Sequence, residues 1–143
     1  MVENEDVSGA AKFMAIGLDL AGFKNWRGSN ERTNLRRFTG RYGPTPLTCQ
    51  NIWDDLQTST NEACRINNSI VKHPHLLFLA LRFLWAYPTE ENLAAEFQMS
   101  PKTVRKWAAL MVMKIHLLLP QKVRRLAASF LPLLLLLKLL LWY

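Results

Sequence analysis

The stretch Ser100-Pro101-Lys102-Thr103-Val104-Arg105-Lys106 holds the residues of this chain whose types and spacing could do chemistry, and that chemistry is recognition of a polyanion. Ser100 is a good N-cap, and Pro101 falls at the first helical position, where a missing N–H costs nothing. Val104, Ala108 and Met111 then recur at helical spacing and can face a neighbouring helix. Lys102, Arg105 and Lys106 point elsewhere, and Thr103 or Ser100 can bond a phosphate. Upstream, Thr89 can cap a helix with Glu90, Glu91 and Asn92 in its first turn and Leu93, Ala94 and Phe97 on one face. Ala94 is small where two helices must approach, and Met99 is an apolar plug for the turn. The segment therefore reads as the turn and second helix of a helix-turn-helix, a motif whose second helix puts its N-terminal residues into the major groove. The plainer alternative is a helical hairpin with a solvated Lys/Arg face. Agreement of spacing, small residue, plug, cap and cations favours double-stranded DNA as the partner.

Charge distribution points the same way. The net charge of +7 is uneven: residues 1–22 carry −3, residues 23–60 carry +3, and from Phe97 onward there are eight Lys or Arg and no acid. A polyanion suits that asymmetry, as an anionic membrane surface would.

Other chemistries find less support. Cys49 and Cys64 are too few for a disulfide scaffold, and the opening residues do not read as a secretory signal. Both cysteines are expected to pack as small apolar residues in a reducing compartment. His73 and His75 flank Pro74 and His116 is distant, so the paired short spacings of a zinc site are missing and no metal ligand is assigned. No Ser or Cys sits in a recognisable nucleophile context. With no acid after Glu96, no carboxylate cluster can hold Mg²⁺ in the last third of the chain. The chain is expected to be no enzyme, with no catalytic residue and no cofactor.

Elements that position these residues can be read from caps and periodicity. The fold class is all-α: a small helical bundle containing one helix-turn-helix, or two in tandem, plus a Leu-rich C-terminal helix. Residues 1–28 are read as an N-terminal tail, disordered over its first ten residues, with weak helical periodicity from Lys12 to Leu20. Residues 29–58 form a first helical unit. Asn30 caps a helix with Leu35 and Phe38 on its inner face, and Thr45-Pro46 starts another with an Ile52, Trp53, Leu56 stripe. Residues 59–74 are a linker. Residues 75–119 form the helix-turn-helix unit, opening with a helix from His75 to Tyr87 that is apolar except for Arg82 and so must be buried on most sides. Residues 120–143 are a basic, then Leu-rich, tail.

The two units can be laid over one another at an offset of 55, from Phe38–Cys49 onto Leu93–Val104. Tyr42 then matches Phe97, Gly43 matches Gln98, Thr45-Pro46 matches Ser100-Pro101, and Thr48 matches Thr103. Gly43 provides cheaply the left-handed backbone such a turn needs, whereas Gln98 takes it at some strain. Either the two units are true tandem copies, or both are generic capped helix starts. If they are copies, Arg36, Arg37 and Arg41 lie near the first turn and can hold phosphates.

These residues resemble the N-terminal region of eukaryotic DDE-superfamily transposases of the Harbinger/IS5-like kind. The matching stretches are Phe38–Leu56, with its Tyr-Gly-x-Thr-Pro-x-x-Cys-x-x-Ile-Trp-x-x-Leu pattern, and His75–Lys114, with Tyr87-Pro88-Thr89-Glu90-Glu91 ahead of the turn. The resemblance implies an accessory DNA-binding role on transposon-end or related DNA, in the nucleus or another intracellular site. It also implies a catalytic transposase chain as a partner, because three metal-binding carboxylates belong to an RNase H-like domain that should begin after about Leu119. The chain departs from the family there, running through Val123-Arg124-Arg125 into leucines.

Residues 126–143 include ten leucines, and as a helix they span about 27 Å, barely the hydrocarbon core of a bilayer. Trp142 and Tyr143 suit an interface, while Pro132 and Lys138 count against a span. Membrane anchoring through this tail is the alternative to a DNA-binding module, and a helical protein–protein adaptor is a third reading. Oligomeric state is not legible.

Overall fold

The structure, a computed structural model, describes residues 2–59, 62–63, 65–66 and 74–123. The helix starts follow the capping chemistry of the sequence. Asn30 Oδ1 accepts the Thr33 amide at 2.8 Å and opens α2, Glu31–Tyr42, while Thr45 Oγ1 accepts the Thr48 amide at 3.2 Å and opens α3, Pro46–Thr58. Thr89 does the same for α5, Glu90–Phe97, and Ser100 for α6, Pro101–Val123. Each cap satisfies an amide left without a partner in the first turn. The remaining helices are α1, Val2–Leu20, and α4, His75–Ala86; among the described residues there are six α-helices and no strand.

One core holds these helices. In α4 every residue from Leu76 to Leu81 is buried, together with Phe83. Around Phe78 gather Phe13 of α1 and Phe38 and Tyr42 of α2, with ring centroids 5.9, 5.8 and 4.8 Å away. The buried Tyr42 hydroxyl donates to the Gly17 carbonyl at 2.6 Å, which removes the cost of taking the phenol out of water. α1 packs along α3 much as α4 packs along α6, while α2 lies against α1 and α4, and α5 against α6. Two three-helix units thus share one interior.

Several expectations change. The supposed tail over residues 1–28 contains α1, whose Phe13 and Leu18 belong to the core, so the first unit begins with α1 rather than at residue 29. Its glycines explain the weak periodicity: Gly17 faces the Phe38 and Phe78 rings and Gly9 faces Gln50, close approaches that an apolar stripe of large side chains could not make. Leu35, expected to face inward, is 39% exposed, and Phe38 alone of that pair is buried. Trp85 and Tyr87 at the end of the apolar α4 stretch are exposed. Of the 59–74 linker, Ile66 is buried and its amide reaches the Leu56 carbonyl at 2.9 Å. Residues 124–143, with the expected Leu-rich helix, and also His73 and Cys64, lie outside the described residues.

Candidate nucleic-acid interface

Backbone chemistry builds the α5–α6 turn. α5 ends where Gln98 enters the left-handed region, φ 54 and ψ 45, and returns its amide to the Ala94 carbonyl. The Met99 amide reaches the same carbonyl at 3.0 Å, and the Met99 side chain packs on the core. Ser100 Oγ and Thr103 Oγ1 then lie 2.7 Å apart, closing the first turn of α6. Val104, Ala108, Met111 and Val112 are buried, which fixes the rotation of α6 about its axis.

That rotation leaves Lys102, Arg105 and Lys106 exposed on one side, at the i, i+3 and i+4 positions of neighbours on a helix surface. Lys106 Nζ lies 5.3 Å from the centroid of the Trp107 ring. Arg105 is not isolated: its Nε and Nη2 donate to Glu90 Oε1 and Oε2 of α5, both at 2.8 Å. The hydrogen bond from Arg105 holds the Glu90 carboxyl below its usual range. In the sequence Glu90 reads only as a first-turn acid of α5, since no local spacing shows a contact between residues 15 apart on different helices.

The first unit repeats the capped helix start but neither the turn geometry nor the surface. Gly43 ends α2 at φ 97 and ψ −69, away from the left-handed helical conformation expected of it and seen at Gln98, with its amide on the Thr39 carbonyl at 2.9 Å. Pro44 follows and has no N–H to copy the Met99 bond. Thr45 Oγ1 and Thr48 Oγ1 lie 3.0 Å apart, as Ser100 and Thr103 do. Cys49, Trp53 and Leu56 are buried where Val104, Ala108 and Met111 are buried. Where α6 carries Lys102, Arg105 and Lys106, however, α3 carries Leu47, Gln50 and Asn51. Beside Leu47 a hollow of about 690 Å³ is lined by Met14, Trp26, Asn34, Leu35 and Pro46.

The three arginines assigned to the first turn do not form a common patch. Arg36 is exposed. Arg37 Nη1 donates to Ser29 Oγ at 3.1 Å, and its guanidinium lies 5.2 Å from the Phe23 ring centroid. Arg41 turns into the seam between the units, 3.0 Å from Glu96, where Arg82 also reaches Glu96 at 3.3 Å. Arg41 is therefore corrected from a surface contact to a half-buried ion-pair member: the seam holds the carboxylate that a cation there requires.

Among the described residues no group of three or more His, Cys, Asp or Glu is placed to hold a metal ion, and no helix is long and apolar enough to cross a membrane. No family model, curated protein or solved structure matches the chain.

Proposed function

We propose that this chain is a DNA-binding helix-turn-helix module of a transposase-like protein, recognising transposon-end or related double-stranded DNA and leaving catalysis to a separate transposase chain. The observation that carries this reading is the first two turns of α6. A capped, tightly turned helix start presents Lys102, Arg105 and Lys106 on one exposed side, with no acid anywhere in the sequence from Phe97 onward. A helix entering the major groove by its N-terminus brings such cations alongside phosphates and base edges. Lys102 and Lys106 neutralise phosphates, and the Ser100–Thr103 hydroxyl pair has one proton to spare for a phosphate oxygen. Such a module works where chromosomal DNA is found, in the nucleus.

The test is duplex binding as a function of salt. Lys102→Ala with Lys106→Ala should lower the slope of log K against log[salt] by roughly two, about one for each lost phosphate contact. Absence of duplex retention by the full chain, or an unchanged slope, overturns the proposal.

One observation favours a second reading, a helical adaptor: the apolar hollow beside Leu47 stands where the first unit would otherwise meet DNA. A stoichiometric protein partner lost on Leu47→Asp, in a chain that does not retain duplex DNA, would select the adaptor.

A further inference from the structure

We propose that Arg105 reads guanine in the major groove and that Glu90 is the positioning residue that aims it. This rests on the DNA-binding reading of α6 and deepens it, by naming the base and the device that selects it.

The Arg105 guanidinium is a planar group with five N–H donors and no acceptor. Glu90 takes the side edge, Nε–H with one Nη2–H, in a two-point contact at 2.8 and 2.8 Å. The adjacent end edge, Nη1–H with the second Nη2–H, keeps two parallel donors. Two parallel donors match the O6 and N7 acceptors that guanine alone presents side by side in the major groove. Exposure shows which partner is the anchor: the Arg105 side chain is 69% exposed and that of Glu90 25%. Glu90 stands in the first turn of α5, where the helix N-terminus favours an anion. The carboxylate is thus a fixed bracket, and the guanidinium reaches outward from it.

Such a bracket removes rotamer freedom from Arg105 before DNA arrives, so less is lost on binding. An exposed ion pair adds little to stability in its own right. The first unit supplies an internal contrast. Its positions matching Glu90 and Arg105 are Leu35 and Gln50, so the device belongs to the second unit alone.

Base preference separates this role from its rival, in which Glu90 merely masks Arg105 from DNA. Duplexes are selected from a randomised pool by the full chain, and binding is then measured to the selected duplex, to versions with each guanine exchanged, and to a random-sequence duplex. The selected site should contain a guanine whose exchange weakens binding about tenfold. Arg105→Ala should abolish that preference, and Arg105→Lys should too, because an ammonium keeps the charge but lacks the paired donors. Glu90→Gln should reduce the preference severalfold while binding to the random duplex stays equal or tightens, since a negative charge is gone. Tighter binding of every duplex by Glu90→Gln with the preference intact would show a mask and overturn the inference. A preference that survives Arg105→Ala would overturn it as well. Either result leaves salt-dependent DNA binding standing, whereas failure of the wild-type chain to retain any duplex removes both readings.

Discussion

Arg41 and Glu96 hold the same position in the two turn-bearing units, 55 residues apart, and their side chains meet at 3.0 Å across the seam between those units. Arg82 joins them, donating to Glu96 at 3.3 Å and to the Arg41 carbonyl at 3.3 Å. One carboxylate therefore balances two guanidinium groups whose side chains are 24% and 17% exposed. Removing it leaves two half-buried cations facing each other, which costs far more than loss of a surface pair. Glu96→Ala should destabilise the chain by about 1–3 kcal/mol, and Glu96→Gln by less, because the amide oxygen still accepts. Urea unfolding reads this, and a Glu96→Ala midpoint equal to that of the wild type would contradict it.

Two glycines in neighbouring helices should respond to alanine with opposite signs. Gly40 in α2 has open space where a Cβ would stand, so Gly40→Ala should stabilise by about 0.5–1 kcal/mol through helix propensity. Gly17 in α1 faces the edge of Phe38, with Phe78 close behind, and its carbonyl accepts from Tyr42. A methyl there collides with a ring locked in the aromatic cluster, and Gly17→Ala should cost about 1–3 kcal/mol. Thermal unfolding of the two variants side by side checks the signs, and a stabilised Gly17→Ala would mean that α1 does not lie on this cluster.

Local chemistry was legible in the sequence; contacts between helices were not. Asn30, Thr45, Thr89 and Ser100 announced four helix starts because a cap and its amide lie three residues apart. Phe38, Trp53, Leu56, Val104, Ala108 and Met111 announced buried faces by their period. The Arg41–Glu96 and Arg105–Glu90 pairs join different helices, and only the relative placement of those helices brings the charges together. α1 escaped for a related reason: it packs partly through glycines, which carry no hydropathy signal.

Burial pushes the Cys49 thiol up to about 12, and it pushes the Tyr42 phenol up as well. Reaction with a thiol reagent requires the thiolate, so in a Cys64→Ser background Cys49 should stay unmodified at pH 8 until denaturant is added. The same burial fixes the sign of the alkaline response. The unfolded chain releases the thiol proton from about pH 8.5, while the folded chain keeps it to about pH 12. Stability from this group is therefore complete below the unfolded value and falls as pH rises through that window, with Tyr42 acting in the same direction. A urea midpoint that does not fall above pH 9 would place Cys49 in water.

The residues that end α2 and α5 differ in a way that predicts opposite effects of exchange. Gln98 sits at φ 54 and Gly43 at φ 97, each ending a helix by donating its amide back to a carbonyl four residues earlier. A side chain in the left-handed region costs about 1–2 kcal/mol, partly offset in glycine by its greater freedom in the unfolded chain. Gln98→Gly should therefore stabilise by about 0.5–1 kcal/mol, whereas Gln98→Ala should not. Gly43 is constrained twice, by its φ and by the Trp85 ring that covers it while Trp85 Nε1 donates to the Gly40 carbonyl at 3.0 Å. Gly43→Gln should cost at least about 2 kcal/mol, since strain and displacement of the indole add. The indole N–H resonance of Trp85, told apart from those of the other four tryptophans by its loss in Trp85→Phe, gives a second readout: it should shift in Gly43→Gln, as the indole leaves its carbonyl, and stay unchanged in Gln98→Gly. Equal responses of the two turns to these exchanges would mean that the Trp85 cover on Gly43 does not form.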